Sequence, residues 1–292
     1  MANLKDLKIR INSVKSTQKI TRAMKVVSAS KLRRARENAE AATPYASRMA
    51  RVVSKLAANV VKESAPKLLV GNGKDKTHLL IVVSSDRGLC GGFNTNLIKA
   101  VNAQILRLQK QDKEIKILSI GKKGYELMKT DHQNKLIGKV FDISKKKFIP
   151  FADAAEQADK IINMFNNNEF DVCTIFYNKF LSAISYEVQT QQLIPLELQN
   201  KEDQASENLV YDYEPSESSI LNNLLPTNIG VQIYNAFLEN SASEHGARMS
   251  AMDNATRNAG EMIKKLTLVY NRTRQAAITT ELIEIIAGAE AV

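Results

Sequence analysis

The sequence is poor in the residues that break, cross-link or anchor a chain. Its 292 residues include 12 glycines, 6 prolines, 2 cysteines and no tryptophan. So little glycine and proline excludes a collagen-like fold and long disordered tracts. The two cysteines, Cys90 and Cys173, cannot form a disulfide framework and suit a reducing compartment. We expect neither a membrane-spanning helix, because no apolar run is long enough, nor a signal peptide, because the first residues lack an apolar core.

Positive charge is concentrated at the start of the chain. Residues 1–60 hold 14 lysines and arginines against 3 acidic residues, whereas the remainder nearly balances and the whole chain carries +10. Such a patch predicts an acidic partner: nucleic acid, anionic lipid or an acidic protein. The first aromatic residue is Tyr45, so this segment lacks both stacking platforms for bases and the bulky anchors of a membrane-surface helix. An acidic protein partner fits best.

The helix breakers divide the chain into three parts: residues 1–60, 61–214 and 215–292. The first proline is Pro44, the first glycine is Gly71, and no proline follows Pro226. Both ends are therefore predicted to be long helices, and a helix of about 55 residues would reach roughly 80 Å. Residues 199–219, rich in acids, are predicted to form a polar loop.

Both terminal helices carry apolar residues at heptad spacing. In the C-terminal helix the steps of four and three begin at His245 and pass through Met249, Met252, Thr256, Ala259, Ile263, Leu266, Tyr270, Thr273, Ala277 and Thr280. In the N-terminal helix the seam begins at Leu4, Leu7, Ile11 and Val14, drifts to Ile20, Ala23, Met24 and Val27, and returns at Leu32, Ala35 and Ala39. This pattern predicts a long antiparallel coiled coil of the two terminal helices. Two amphipathic helices lying on a globular core are the alternative.

Short apolar runs alternate with helical patterns between the two ends. Strands are predicted at residues 79–83, 115–120, 136–143 and 172–177, with an edge strand at 185–193. Helical patterns cover residues 94–109, 125–129 and 151–165. This order predicts a central Rossmann-like α/β domain with right-handed crossovers, and the fold class is α/β.

A glycine-rich turn follows the first strand, where nucleotide-binding α/β folds hold phosphate. Residues 84–94 read SSDRGLCGGFN, which contains neither Gly-x-Gly-x-x-Gly nor a lysine followed by Ser or Thr. We therefore interpret it as a tight strand-to-helix turn. The three histidines lack the spacing of metal ligands. No cofactor, metal or catalytic residue is predicted.

Five segments together resemble the γ subunit of F-type ATP synthases of the bacterial type. They are residues 13–31 (SVKSTQKITRAMKVVSASK), 85–94 (SDRGLCGGFN), 244–252 (EHGARMSAM), 270–276 (YNRTRQA) and 278–289 (ITTELIEIIAGA). They occur in the family's order and span both ends and the middle of the chain.

This resemblance implies a non-catalytic central-stalk rotor subunit of a proton-driven ATP synthase. Its coiled coil would turn inside a ring of α and β subunits, with ATP made or hydrolysed on the β subunits. Its α/β domain would lie near the ε subunit and the membrane rotor ring of c subunits. The expected location is the cytoplasmic face of the bacterial inner membrane, as a peripheral subunit.

The resemblance also implies residues that contact other subunits. Met24 would face an acidic loop of the β subunit, with Lys31 low on the shaft, and Arg248 would couple to Met24 and to the loop at Glu214. Upper contacts with a β-subunit loop would be made by Arg274, Gln275, Thr279 and Glu281. Tyr213 and Glu214 would form the foot that meets the rotor ring.

Two other classes of function remain open on the residues alone. An enzyme holding a nucleotide in the turn at residues 88–92 would bind ATP as an isolated chain. A nucleic-acid-binding protein led by the basic helix would be retained on DNA in a steeply salt-dependent way.

Overall fold

A computed structural model describes residues 4–59, 65–141, 149–196 and 217–290. The helices and strands within these ranges are α1 (Leu4–Asn59), α2 (Lys67–Val70), β1 (Thr77–Val83), α3 (Phe93–Gln109), β2 (Glu114–Ile120), α4 (Lys122–His132), β3 (Leu136–Phe141), α5 (Phe151–Asn166), β4 (Val172–Ser182), β5 (Ser185–Ile194) and α6 (Glu217–Glu290). The chain divides into two compact units, Met1–Ala29 with Arg248–Val292, here the helical unit, and Ser30–Ala247, here the sheet unit.

The sheet unit is built on a five-stranded sheet in the order β3-β2-β1-β4-β5. The first four strands are parallel, and β5 pairs antiparallel with β4. Placing β1 between β2 and β4 is the strand order of doubly wound nucleotide-binding folds. The predicted Rossmann-like domain and its edge strand are confirmed.

Both faces of this sheet are covered, which is why β1 is an almost unbroken apolar run. Alternate residues such as Leu79 and Ile81 pack against α5 and α6, whereas Leu80 and Val82 pack against α3. All four of these side chains are fully buried. The helix predicted at residues 94–109 is α3, and it uses its predicted apolar face.

The elements differ in extent from their predictions in two places. β4 continues to Ser182, beyond the predicted end at residue 177, because β5 pairs with it along its whole length. The helix predicted at residues 125–129 runs from Lys122 to His132. The end of β3 beyond Phe141 and most of the polar loop at 199–219 lie outside the described residues.

Both terminal helices are long and pass through proline. α1 has 56 residues and contains Pro44, and α6 has 74 residues and contains Pro226. In the sheet unit their inner parts meet in a small apolar cluster, where Val53 and Leu56 of α1 pack with Leu221 and Leu225 of α6. In the part of the chain that the structure describes, no helix is long and apolar enough to cross a membrane.

In the helical unit the two helices run antiparallel and meet along the predicted C-terminal seam. From residue 261 to 279 the only positions of α6 that are not exposed are Ile263, Leu266, Tyr270, Thr273 and Ala277. All five belong to the heptad series that starts at His245. The antiparallel pairing of the terminal helices is therefore confirmed within this unit.

The predicted drift of the N-terminal seam is wrong. Ile20 and Val27 are 59% and 56% exposed, whereas Gln18, Thr21 and Ser28 face inwards. The seam keeps its steps of three and four from Leu4 to Leu32, but its middle is polar rather than apolar. The spacing of apolar residues indicates the wrong face of α1, because the pairing in the middle of the seam depends on hydrogen bonds and on small side chains.

Candidate subunit-contact surface

Polar contacts hold the middle of the helix pair in register. The Thr21 and Thr256 hydroxyl oxygens lie 2.8 Å apart, and the Gln18 side-chain amide donates to the Thr256 carbonyl at 3.3 Å. A Cβ on Gly260 would lie 3.0 Å from the Gln18 amide nitrogen. The small residues at this level therefore let the helices approach closely enough for side chain to reach backbone.

An ion pair flanks the same contact. Lys25 donates to the Asp253 carboxylate at 2.6 Å, and this hydrogen bond lowers the pKa of Asp253. Both side chains are more than one-third exposed. Water therefore screens the pair, so its main effect is to place two opposite charges at a defined level of the surface.

Met24 lies beside this ion pair and is only half-buried. Its position on α1 leaves part of the thioether side chain on the surface of the helical unit. Arg248 belongs to the same unit and is 8% exposed. A guanidinium so deeply buried takes part in holding the local structure as well as in any contact. Lys31 is fully exposed and belongs to the sheet unit.

The end of α6 extends beyond the described start of α1. The pairing of Lys25 with Asp253 and of Thr21 with Thr256 places Leu4 opposite about residue 274. The following residues of α6 therefore have no counterpart on α1 among the described residues. Apolar side chains here are more than half exposed: Ile278, Leu282, Ile283, Ile285 and Ile286.

The predicted upper contact residues lie at this extension. Arg274, Gln275, Thr279 and Glu281 are all exposed, and the Thr279 hydroxyl donates to the Gln275 carbonyl one turn earlier. The structure therefore places these four side chains on one accessible stretch of helix. Tyr213 and Glu214, the predicted foot, lie outside the described residues.

A second surface feature escaped the sequence analysis. Ile9, Ile20, Val26 and Val27 of α1 are each more than half exposed in the helical unit. Contiguous apolar side chains on a surface mark interaction sites, whereas isolated ones are ordinary. Ile20 and Val27 belong to the predicted seam, and nothing in the sequence pattern distinguishes Ile9 and Val26 from core residues.

The glycine-rich turn after β1 is filled by the protein's own groups. The Ser84 hydroxyl accepts from the Gly124 amide at 2.9 Å, the Ser85 carbonyl accepts from the Lys123 amide at 3.0 Å, and Asp86 accepts from the Lys122 amide. These amides belong to the first turn of α4. The three bonds therefore join the start of α4 to the end of β1.

Asn94, in the first turn of α3, joins this helix to the same strand end. Its side-chain oxygen accepts from the Ser85 amide at 3.1 Å, and its side-chain nitrogen donates to the Ser85 hydroxyl at 2.8 Å. Its amide also lies 3.5 Å from the sulfur of Cys90, which is 3% exposed. Cys90 is thus a buried thiol packed against this junction. In the described ranges no group of three or more His, Cys, Asp and Glu residues is arranged to hold a metal ion.

Fold and surface together define a class: a chain in which a small Rossmann-like sheet lies, in sequence order, between two very long helices, without a nucleotide-binding motif in the turn after its first strand. The sequence model of a family described as ATP synthase matches residues 3–292. A curated ATP synthase gamma chain from Pelagibacter ubique is 55% identical over 291 residues, 99% of each chain. Another from Paracoccus denitrificans is 54% identical over the whole of both chains.

Solved structures give the same result. The central stalk of the Tetrahymena thermophila mitochondrial ATP synthase matches with a TM-score of 0.60 and 26% identity, covering 81% of this chain and 99% of that one. A chain of the Euglena gracilis mitochondrial enzyme matches in fold with a TM-score of 0.67 at 20% identity, covering 99% and 94%. The chain belongs to the ATP synthase γ-chain family. It is a central-stalk subunit of that complex, and catalysis lies on other subunits.

Proposed function

We propose that the chain acts as a shaft whose exposed helix surface transmits rotation from the membrane rotor ring to the catalytic β subunits. An asymmetric shaft touches three chemically identical sites differently at any moment. Differential contact of that kind shifts the populations of their conformations without any chemistry on the shaft itself. The observation that carries the proposal is the pairing of α1 and α6 in the helical unit through a narrow seam, which leaves most of their surface in that unit exposed.

The seam suits a shaft because it fixes the two helices against each other. Polar contacts such as Thr21–Thr256 have one good geometry, and a slip along the helix would leave them unpaired. Close approach at Gly260 makes the pair thin. Such a pair resists a change of register while it presents its other faces to a surrounding sleeve.

The exposed apolar end of α6 suits a bearing. Ile278, Leu282 and Ile286 are each more than half exposed, and the nearby charged residues are few. An apolar sleeve around this segment would hold it without the directional bonds that stop rotation. We assign the contacts with a β-subunit loop to Arg274, Gln275, Thr279 and Glu281, at the base of this segment.

The lower contacts are assigned to charged and half-buried residues of both helices. Met24 would face an acidic loop of the β subunit, Lys31 would add a cation near it, and Arg248 would hold the local geometry. The excess of 14 basic over 3 acidic residues in positions 1–60 supports an acidic partner here. Electrostatic complementarity of this kind contributes more to the orientation of the partners than to their affinity.

The remaining partners follow from membership of the complex. The chain assembles with the α and β subunits of the head and with the c-subunit ring. We assign the contact with the ring to Tyr213 and Glu214, and we place the ε subunit against the α/β domain. The chain is a peripheral part of its complex, and we propose the cytoplasmic face of the bacterial membrane as its location.

Purification of the tag-free complex from native membranes tests the proposed function. Co-elution of the chain with α- and β-type subunits in a constant ratio is the expected result. Elution of the chain alone, or with nucleic acid in a salt-dependent way, would contradict it.

Equilibrium dialysis against labelled ATP distinguishes a non-catalytic shaft from a nucleotide-binding enzyme. The full chain should bind no ATP, because the turn at residues 84–94 lacks the phosphate-binding motifs and its first three residues bond to the start of α4. Stoichiometric binding that is lost in Gly92→Trp would favour a nucleotide-binding enzyme.

A further inference from the structure

A cavity of about 300 Å³ opens within the sheet unit, between α1, α5 and α6. No contact assigned to the shaft uses it. Each of the three helices contributes one aromatic ring to its walls: Tyr45, Phe151 and Tyr234. Smaller side chains of the lining include Ala42, Ala46 and Asn235. A volume of this size lies at the lower end of those that bind small molecules.

The aromatic rings are held in place rather than collapsed into the space. Phe151 and Tyr234 meet edge to face, with their ring centroids 5.6 Å apart and their planes at 85°. A Cβ on Gly230 would lie 3.5 Å from the Phe151 ring, so the small residue leaves room for that ring. Tyr45 is 57% and Phe151 41% exposed, although both are large aromatic residues. The rings therefore form an open wall that a ligand could cover.

The lining of the cavity is almost entirely apolar. Its polar residue Asn235 donates to the Glu239 carboxylate at 3.2 Å, which engages that side chain within the protein. Burial of the Tyr234 ring raises the pKa of its hydroxyl, which is neutral near pH 7. The cavity therefore selects a ligand by shape and apolar surface.

We propose that this cavity binds a small planar aromatic molecule of one or two rings. Three aromatic side chains present edges and faces that match a flat ring better than a saturated one. The concave shape and the small volume select a compact ligand. The inference concerns a site outside the shaft surface and does not depend on the proposed rotation.

Indole is a suitable probe because the chain contains no tryptophan. Indole fluorescence excited selectively therefore reports the ligand alone. With the full-length chain we expect saturable binding with a shift of the emission to shorter wavelength, and a rise in Tm that grows with indole concentration. Ala46→Phe, which fills the cavity, should weaken binding at least tenfold and remove the rise in Tm.

Ala41→Phe is the matched control, since Ala41 is exposed on the same helix and does not line the cavity. It should leave indole binding unchanged. Cyclohexylmethanol, which is of similar size but not aromatic, should bind at least tenfold more weakly than indole.

Three results would overturn the proposal. They are the absence of saturable binding to the full-length chain, equal binding by the wild type and Ala46→Phe, and equal affinity for the saturated probe. Binding to the free chain that disappears in the assembled complex would also overturn it, because a partner's side chain would then be the occupant.

Discussion

A single glycine lets two strand ends pack closely at one edge of the sheet. Gly121 has a φ of 96°, and a Cβ there would lie 2.4 Å from the Ser84 backbone carbonyl oxygen. No side chain fits so close to a backbone atom, since only backbone movement could relieve the contact. The junction of β2 and α4 therefore packs directly on the end of β1.

Gly121→Ala should be strongly destabilising. The positive φ costs roughly 1–2 kcal/mol for a residue with a Cβ, and the overlap with Ser84 adds roughly 1–3 kcal/mol. Gly73→Ala is the control, because Gly73 also has a positive φ, 75°, but nothing lies within 4 Å of its added Cβ. Urea unfolding of the two variants should separate the two costs. Equal losses of stability would contradict the packing argument.

Glu239 gives a residue-scale prediction that depends on pH. Burial raises the pKa of this α6 carboxyl, and one of its oxygens has no hydrogen-bond partner. The native state therefore binds the proton more tightly than the unfolded state does. The charged form lowers stability above the raised pKa, and this loss disappears as the pH falls towards the ordinary value of a glutamate, about 4.3.

Glu239→Gln should consequently be more stable than the wild type at pH 7, with an advantage that shrinks towards pH 4.5. Denaturant unfolding at a series of pH values checks this. Glu261→Gln, on an exposed position of the same helix, should show little difference from the wild type at any of them. An advantage for Glu239→Gln that stayed constant with pH would count against the buried-carboxyl account.

At the scale of elements, the α1–α6 pair depends on a polar middle rather than on a continuous apolar stripe. Thr21 is 8% and Ser28 3% exposed, so these hydroxyls are part of the interior of the pair. The contact between the Thr21 and Thr256 hydroxyls fixes the register, whereas the Ser28 hydroxyl donates to the Met24 carbonyl of its own helix. The apolar residues on either side supply most of the driving force.

A double-mutant cycle on Thr21 and Thr256 tests this polar seam. Thr21→Val or Thr256→Val alone should cost about 1 kcal/mol, because each removes the 2.8 Å hydroxyl contact between the two helices. The remaining hydroxyl keeps a carbonyl of its own helix as a partner. The double variant should cost less than the sum of the two single changes. Strict additivity, measured by thermal unfolding of the full chain, would mean that the hydroxyl contact contributes nothing to the pairing.

Much of the fold could be predicted from the sequence, because its helices and strands closely follow the periodic spacing of apolar residues. Leu79 to Val83 could only be a buried strand, and the seam through Ile263, Leu266 and Tyr270 follows the heptad. The polar middle of the N-terminal seam could not be predicted in this way. Thr21 faces inwards because its partner on α6, Thr256, is small and polar, and that is a property of the pair rather than of either sequence segment.

The contact surface was less predictable than the fold. Resemblance to a family selected Arg274 and Glu281, and the structure places them on an accessible stretch. Nothing in the sequence pattern alone indicated Val26 or Ile9 as surface residues, since exposed apolar side chains look like core until the partner helix is known. The cavity beside Phe151 was also hidden, because it joins residues more than 180 positions apart.

For the whole molecule, torque should be spread over many weak contacts. An exposed ion pair contributes only about 0.2–1 kcal/mol, so no single cation can carry the load of rotation. Lys31→Ala should therefore leave most rotation intact in a single-molecule assay. Complete arrest by this one change would contradict a distributed contact.

Adding one cation in the wrong place should have a larger effect than removing one. Met24 is half-buried beside the Lys25–Asp253 pair, so Met24→Lys places a second ammonium there and adds an ion pair with an acidic partner loop. We expect proton flow to become partly uncoupled from ATP synthesis. Met24→Leu keeps the site apolar and should behave like the wild type. Normal proton-to-ATP coupling in Met24→Lys would remove Met24 from the contact surface.

The most direct test of the shaft is rotation of the chain against its catalytic partners. Both natural cysteines are buried, so a cysteine introduced at the exposed position Lys110 can be labelled selectively with a bead. With the β subunits fixed to a surface, we predict that ATP drives continuous turning of the bead in one direction. ATP hydrolysis at the normal rate with a stationary bead would contradict the account.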